Sequence, residues 1–251
     1  MKGKKFFALF LMVIGIGIFA FSGGPAYAAL ANENATITFT TFSNAATFTD
    51  MYSYVFVKVG ATTDTLNLPG VPWWVDAQKI LVGPSSADAH VTLFGSPITS
   101  QAVATGNSGS VDAIARISGS FLATSDAVGI QATYTTNNYL QTNASETAYG
   151  KNIVDIKMWL DSDPTVLYDA RYPIPSALNQ KTIGPSTTYN PGTGSGTFNI
   201  QFPGFTPGDK IDFLASVESQ ARTSAVPIPG ALWLLGSGLV GLVSIRRRIQ
   251  K

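Results

Sequence analysis

The chain has 251 residues, a formal net charge of +1, a single histidine and no cysteine. Its charges are segregated, because seven of the sixteen basic residues lie in the first five or the last six positions, whereas all fifteen acidic residues lie between Glu33 and Glu218. The region between the ends has nine basic and fifteen acidic residues, a net charge of −6, and we expect no nucleic-acid binding. One histidine and no cysteine exclude most metal sites, catalytic triads and disulfide-stapled folds.

Residues 1–28 have the pattern of a secretory signal peptide. Three lysines precede an uncharged apolar run over residues 6–21, which ends at a Gly-Pro break. Small residues follow at Ala26 and Ala28, so we expect the general secretion machinery to export the chain and signal peptidase to cleave after Ala28. Cleavage after Ala31 and an uncleaved anchor helix are the alternatives.

Residues 29–218 are rich in Thr, Ser, Gly, Asn and aromatic residues, and apolar and polar residues alternate in many stretches. Short alternating stretches between Gly, Pro and Asn turns are typical of an antiparallel β-sandwich, here expected to be jelly-roll-like and to form one domain. Residues 111–124 are either one long strand or two short strands around Gly119. The predicted strands are Ala35–Thr40, Tyr52–Val59, His90–Phe94, Val111–Thr124, Ile130–Thr135, Ile153–Leu160, Thr165–Ala170, Thr197–Phe202 and Ile211–Val217.

The clearest local prediction is a hairpin in the second half of the chain. Residues 153–160 alternate strictly, the Asp-Ser-Asp-Pro sequence at 161–164 is typical of a turn, and residues 165–170 return antiparallel. Two other segments are predicted to lack regular structure. Residues 189–196 are expected to form a Pro/Gly loop, and the small, polar residues 219–225 a linker to the C-terminal segment.

A tryptophan pair, Trp73 and Trp74, is the candidate for a carbohydrate contact. Adjacent residues in a strand point to opposite faces, so one ring can pack inward while the other stays exposed. Exposed aromatic rings stack on sugar rings, which makes a sugar contact one interpretation. The alternative is that both rings cap the core.

Asp161 and Asp163, in the predicted hairpin turn, are the candidate ligands for a Ca²⁺ ion, since calcium takes oxygen ligands and tolerates irregular geometry. EF-hand spacing is missing, because neither the Gly nor the distal Glu falls in place. Aspartates also favour turns for conformational reasons, which is the alternative. We expect no cofactor.

No catalytic set emerges from the remaining polar residues. The three glutamates lie near the start, in what reads as a polar loop, and near the tail, and no aspartate pair has a setting typical of glycosidases. His90 opens a predicted strand and has no Gly-x-Ser-x-Gly partner. We therefore expect the protein not to be an enzyme.

Residues 226–251 combine a Val-Pro-Ile-Pro start, an uncharged apolar run and a cationic end. The run over residues 230–245 would make a helix of roughly 24 Å, a little short of the hydrocarbon core of about 30 Å. The basic tail at 246–251 predicts a cytoplasmic C-terminus. An ordinary membrane anchor explains the apolar run but does not require the two prolines, which favour an extended entry segment.

This tail resembles a PEP-CTERM sorting signal of the Val-Pro-x-Pro variant, with Ile228 where many such signals have Glu. The resemblance implies recognition by an exosortase, a membrane-embedded processing enzyme of exopolysaccharide-producing Gram-negative bacteria. It also implies that the helix holds the protein in the inner membrane during transit. The residues that carry the resemblance are Val226, Pro227, Pro229, Trp233, Gly236, Gly238, Arg246, Arg247 and Arg248.

These patterns together predict an exported protein of the cell surface or the exopolysaccharide matrix, with a structural or adhesive β domain. Exopolysaccharide is the expected macromolecular partner at its destination. Two alternatives stay open at this point: a carbohydrate- or calcium-binding surface protein, and a permanently anchored inner-membrane protein.

Overall fold

The structure is a computed structural model that describes residues 29–69, 76–92, 97–106, 109–143, 146–172, 180–184, 186–191 and 193–225. Within these ranges it has fourteen strands and no helix, and all strand pairs are antiparallel, which confirms the all-β antiparallel prediction. The predicted signal peptide, Trp73, Trp74 and the predicted sorting signal lie outside the described residues. No helix of the described ranges is long and apolar enough to cross a membrane.

The strands are longer than the sequence pattern predicts, and the longest, Lys210–Ala225, has sixteen residues. The segment around Gly119 is one unbroken strand, Ser110–Ala123. In chain order the strands are β1 (Leu30–Ser43), β2 (Ala45–Val59), β3 (Thr62–Pro69), β4 (Asp76–Leu81), β5 (Ser86–Thr92), β6 (Ile98–Thr105), β7 (Ser110–Ala123), β8 (Ala127–Gln141), β9 (Glu146–Leu160), β10 (Asp163–Tyr172), β11 (Gln180–Ile183), β12 (Thr188–Tyr189), β13 (Thr193–Pro203) and β14 (Lys210–Ala225).

The strands form two seven-stranded sheets. The first sheet has the order β12, β8, β1, β6, β5, β4, with β13 also paired to β8. The second sheet has the order β10, β9, β14, β7, β2, β3, with β11 also paired to β9. The predicted hairpin is confirmed, because β10 runs antiparallel to β9 with Asp163 opposite Leu160. The first and last strands, β1 and β14, are both inside a sheet, each with a neighbour on either side.

One core lies between the two sheets, and its composition changes along the strands. At one end phenylalanine rings from both sheets pack together with centroids 5.2 to 6.5 Å apart, many of them edge to face. Toward the other end most inward positions hold small residues, and this leaves space between the sheets for buried polar side chains. The phenylalanines are Phe39, Phe42, Phe48, Phe121 and Phe213, and the small residues include Ala31, Ala35, Ala102, Ala104, Ala113, Ala115, Ala148 and Ala221.

Both ends of the described region lie at the alanine-rich end of the core. The N–H of Gly106 donates to the carbonyl of Ala29 at 3.0 Å, and the N–H of Thr223 donates to the carbonyl of Gly109 at 2.8 Å. Because Gly106 and Gly109 are three residues apart, their Cα atoms are within about 11 Å of each other. The chain therefore enters and leaves the fold at one end, opposite the phenylalanine cluster.

The linker prediction is wrong, and the loop prediction is wrong except at Asn190 and Pro191. Residues 219–225, predicted as a linker, are the last part of β14 and pair with β9 throughout and with β7 as far as Arg222. The predicted loop at 189–196 includes the end of β12 and the start of β13, both paired with β8. Polar residues occupy a central strand here because the inward-facing Ser219 and Thr223 have hydrogen-bond partners inside the fold. The β region therefore extends past residue 218 and includes Ala225.

Candidate functional site

The outward face of the second sheet has a shallow depression of about 220 Å³, lined by Tyr52, Tyr54, Arg116, Ser118 and Leu214. The strand register brings these residues together from three neighbouring strands. Tyr54 of β2 lies opposite Arg116 of β7, and Tyr52 lies opposite Ser118, which in turn lies opposite Leu214 of β14. Side chains alternate between the two faces of a sheet, so residues two apart on one strand share the outward face.

An irregularity in β2 sets the position of Tyr52. The register of β2 against β7 shifts twice between Ala46 and Tyr52, and Asp50 has a positive φ of 52°. A carboxylate oxygen of Asp50 lies 2.8 Å from Lys210 Nζ, and this hydrogen bond lowers the pKa of Asp50 below its ordinary value. Bulges re-aim neighbouring side chains. After this one, Met51 is buried whereas Tyr52 is 39% exposed.

Arg116 is the cation of the depression. Its Cζ atom lies 5.6 Å from the centroid of the Tyr54 ring, a distance at which the cation and the ring face attract each other. In the described part of the chain no carboxylate lies within ion-pair distance of Arg116, whereas four other cations of the same sheet each have such a partner. The guanidinium has five N–H donors in a planar fork, which are available to a ligand.

The depression therefore combines a ring face, hydroxyl groups and a positive charge that has no carboxylate partner among the described residues. The side chain of Tyr52 has neither a ring partner nor a hydrogen-bond partner in the same part of the chain. Ser118 contributes a hydroxyl group beside it, and Leu214 contributes an apolar side chain. Such a surface can hold a flat ligand with an apolar face and an anionic group.

Of the predicted site residues, only Asp161 and Asp163 are within the described ranges, and both are exposed in the turn between β9 and β10. The backbone N–H of Thr165 donates to Asp163 Oδ1 at 3.0 Å, and the Thr165 hydroxyl donates to the same oxygen. These two hydrogen bonds, the hydroxyl first, lower the pKa of Asp163. Asp161 donates its backbone N–H to the carbonyl of Lys210 at 3.0 Å. The geometry is that of a carboxylate that closes a hairpin turn.

The described ranges contain no group of three or more His, Asp or Glu side chains placed to hold a metal ion. His90 lies inside β5, opposite Gln78 and Thr99, and does not open the strand as predicted. Glu146, which the sequence places in a polar loop, is the first residue of β9 and is buried. The structure brings neither of them to the depression on the second sheet.

A buried polar network connects the two sheets in the alanine-rich half of the core. Nδ2 of Asn152 donates to Glu33 Oε2 and to the carbonyl of Asn137, both at 2.8 Å. The Ser219 hydroxyl lies 2.8 Å from Asn152 Oδ1 and 2.9 Å from the Ser100 hydroxyl. Glu33 and Ser100 belong to the first sheet, Asn152 and Ser219 to the second, so the network bridges them.

Burial keeps the Glu33 carboxyl protonated at neutral pH. Loss of solvation raises its pKa to about 10, and the hydrogen bond from Asn152 opposes this only in part. Oε1 of Glu33 has no hydrogen-bond partner among the described residues, and it lies over Gly150, where any side chain would overlap it. Because Glu33 has no exposed surface, it organises the core and cannot contact a substrate.

A second, larger depression of about 400 Å³ lies at the end of the fold where the chain enters and leaves. Its walls are turns and strand ends, including Val82, Pro84, Thr105 and Gly109, and no charged side chain lines it. Val82 is 87% exposed. The depression is therefore an uncharged surface close to the exit of β14, and two of its hydroxyl groups, those of Ser85 and Thr105, are already hydrogen-bonded to backbone groups of its own walls.

Comparisons with protein-family models, with curated proteins and with solved structures each found no match to this chain. The features of the chain that bear on function are therefore the sequence motifs at its two ends and the geometry of the β region between them.

Proposed function

We propose that this is an exported, non-enzymatic protein of the cell surface or the exopolysaccharide matrix, and that its β region is a sandwich domain with a structural or adhesive role. The general secretion machinery exports the chain, and signal peptidase removes residues 1–28. The apolar run at 230–245 holds the chain in the inner membrane until an exosortase processes it near Val226 to Pro229. Released protein then reaches the cell surface or the matrix.

The observation that carries this proposal is the position of the tail relative to the fold. β14 ends at Ala225, and the Val-Pro-x-Pro sequence begins at the next residue, followed in order by the apolar run and the arginines. The predicted leader likewise ends one residue before Ala29, at the same end of the fold. A domain with both ends on one side leaves its outer sheet faces and its far end available for contacts away from the membrane.

The fold also supports cleavage after Ala28 in preference to Ala31. Ala29 and Ala31 are both 0% exposed, and the Ala29 carbonyl accepts the N–H of Gly106. Leu30 and Ala31 pair with β6 on one side and β8 on the other. Cleavage after Ala31 would remove the first residues of a central strand.

Intact mass of the exported protein tests this proposal. The expected product begins at Ala29 and lacks the apolar run after Pro229. A variant with Pro227→Ala and Pro229→Ala keeps the apolar run and the arginines, so we expect it to stay in the membrane with its tail intact. If the unsubstituted protein is found only in membrane fractions with the whole tail, the sorting proposal is wrong and a permanent anchor is favoured.

One observation favours carbohydrate binding as the second candidate function. It is the depression at Tyr52 and Arg116, where a ring face and an unpaired cation lie side by side. This candidate is compatible with the first, because an adhesive domain needs a contact surface.

A further inference from the structure

We propose that the depression formed by Tyr52, Tyr54, Arg116, Ser118 and Leu214 binds a carboxylated sugar unit of an acidic polysaccharide. The inference deepens the proposed adhesive role and rests on it for the source of the polymer. The site itself rests only on the geometry of the second sheet, so its test is independent of export and processing.

Arg116 selects the anionic group. In the described part of the chain it lacks a carboxylate partner, and it is held over the Tyr54 ring with its Cζ atom 5.6 Å from the ring centroid. A guanidinium in this position can donate two parallel hydrogen bonds to one carboxylate, a geometry that an ammonium group cannot reproduce. The cation is thus already placed, and a ligand with a carboxylate would complete its pairing.

Tyr52 supplies the surface for the sugar ring. It lies diagonally across from Arg116 in the strand register, is 39% exposed, and contacts no other ring among the described residues. A tyrosine has an apolar body and a polar tip, so it can stack on the face of a pyranose and hydrogen-bond a hydroxyl group at its rim. The hydroxyl of Ser118, opposite Tyr52 in the register, can bind a second sugar hydroxyl.

The location of the site in the sheet excludes an added peptide strand. β2, β7 and β14 each have a neighbour on both sides, so their backbone groups are already paired. A ligand here can use side chains only. That favours a molecule recognised through a flat face and a charge over an extended peptide, whose affinity comes from main-chain hydrogen bonds.

The charge of the surrounding domain makes the proposal specific. The region between the two basic ends carries nine basic and fifteen acidic residues, so a polyanion is not attracted by the surface as a whole. Affinity for an acidic polymer would then come from Arg116 itself. We therefore expect a preference for carboxylated over neutral sugars that is lost when Arg116 alone is substituted.

The proposal is tested by isothermal titration of the full chain in detergent. The two ligands are oligogalacturonate and a neutral gluco-oligosaccharide of equal length. The unsubstituted protein is expected to bind the oligogalacturonate about tenfold more tightly, the size of effect that a charge-assisted hydrogen bond supports. Arg116→Gln is expected to abolish this preference, and Arg116→Lys to retain only part of it. Tyr52→Ala is expected to weaken binding of both sugars, whereas Tyr52→Phe retains most of it.

Lys58→Gln is the matched control, because Lys58 lies on the outward side of β2 and its removal changes the net charge by the same amount. It is expected to bind like the unsubstituted protein. Far-UV circular dichroism of each variant shows that the sheets are intact. The proposal is overturned if the unsubstituted protein does not bind oligogalacturonate, if Arg116→Gln binds it equally well, or if polyglutamate binds as tightly as the sugar.

Discussion

At the residue scale, Glu33 shows how a single side chain connects the two sheets. It lies on β1 between Ala102 of β6 and Asn138 of β8. From there it reaches the opposite sheet, where it accepts a hydrogen bond from Asn152 and lies against Gly150. The carboxyl is neutral at neutral pH because burial raises its pKa to about 10. A fully buried acid of this kind makes the stability of the fold sensitive to pH.

We expect Glu33→Gln to flatten the dependence of stability on alkaline pH. The ordinary pKa is 4.5 and the folded value is about 10, so between these values the folded state binds more protons than the unfolded state. The free energy of unfolding therefore falls as the pH rises, with a slope that approaches about 1.4 kcal/mol per pH unit for one group. Glutamine keeps an oxygen for the Asn152 hydrogen bond but does not titrate.

Urea unfolding at about pH 6 and about pH 9 measures this slope. Glu218→Gln is the matched control, since Glu218 lies on the outward face of β14 next to Lys151. It should retain the slope of the unsubstituted protein. An unchanged slope in Glu33→Gln would contradict the assignment of a buried neutral acid at this position.

The alternation of apolar and polar residues in β1 indicates that Glu33 faces inward, whereas the polar residues around it indicate a loop. The alternation that places Ala35 and Ile37 inward also places Glu33 and Ala31 inward when it is continued toward the N-terminus. All four residues are buried. The predicted strand begins at Ala35, directly after the polar run of Asn32, Glu33 and Asn34, and glutamate is rarely buried completely. The partners that make burial tolerable come from β9, more than a hundred residues later.

At the element scale, β14 is the strand on which the second sheet depends. It pairs with β7 on one side and with β9 on the other over most of its length. Its inward residues at the phenylalanine end of the core are Ile211 and Phe213. At the polar end they are Ser219 and Thr223. The change from large apolar to small polar inward residues looks like the end of a strand, although the strand continues.

Truncation distinguishes the strand from the predicted linker. A chain that ends at Glu218 loses Ser219, Ala221 and Thr223 and leaves Asn152 without one hydrogen-bond partner. We expect a loss of roughly 3 kcal/mol or more in the free energy of unfolding, from buried polar groups left unpaired and from lost burial. A chain that ends at Ala225 is the control and should be as stable as the full chain. Equal stability of the two truncated chains would support a linker.

The hairpin of β9 and β10 was predictable, whereas three shorter strands were not. Its turn residues, 161–164, carry local conformational preferences that do not depend on the rest of the fold. β3, β4 and β6 were missed because Thr, Gln, Asn and Asp interrupt their apolar residues. β3 and β4 are held by hairpin pairing with β2 and β5, their neighbours in sequence, whereas β6 is held by pairing with β1, which is distant in sequence.

At the scale of the whole molecule, the two sheets share one hydrophobic core. The chain passes from β1 in the first sheet to β2 in the second, and it returns several times before β14. The phenylalanine cluster joins the sheets at one end, since Phe42 of β1 packs on Phe121 and Phe213. The Glu33–Asn152 contact joins them at the other end. Neither sheet keeps its buried face covered without the other.

We therefore expect a single unfolding transition. Near-UV circular dichroism reports the packing of the aromatic rings and far-UV circular dichroism reports the strands. The two signals should give the same urea midpoint within error, because small and medium-sized domains with one core unfold in an all-or-none transition. Two separated midpoints would show that one sheet unfolds before the other and would contradict this view.

The sequence by itself determined that the region after the leader is antiparallel β structure, because alternation and turn residues are local properties. It also predicts an export route, because the predicted leader and the predicted sorting signal are contiguous segments that can be recognised without knowledge of the fold. Which face of each strand is buried was decided only by the tertiary structure. Tyr52 and Tyr54 alternate with Ser53 and Val55, and either set could have faced the core. Pairing between strands far apart in sequence turned the tyrosines outward beside Arg116 and turned Glu33 inward toward Asn152, since only the packed sheets supply those neighbours.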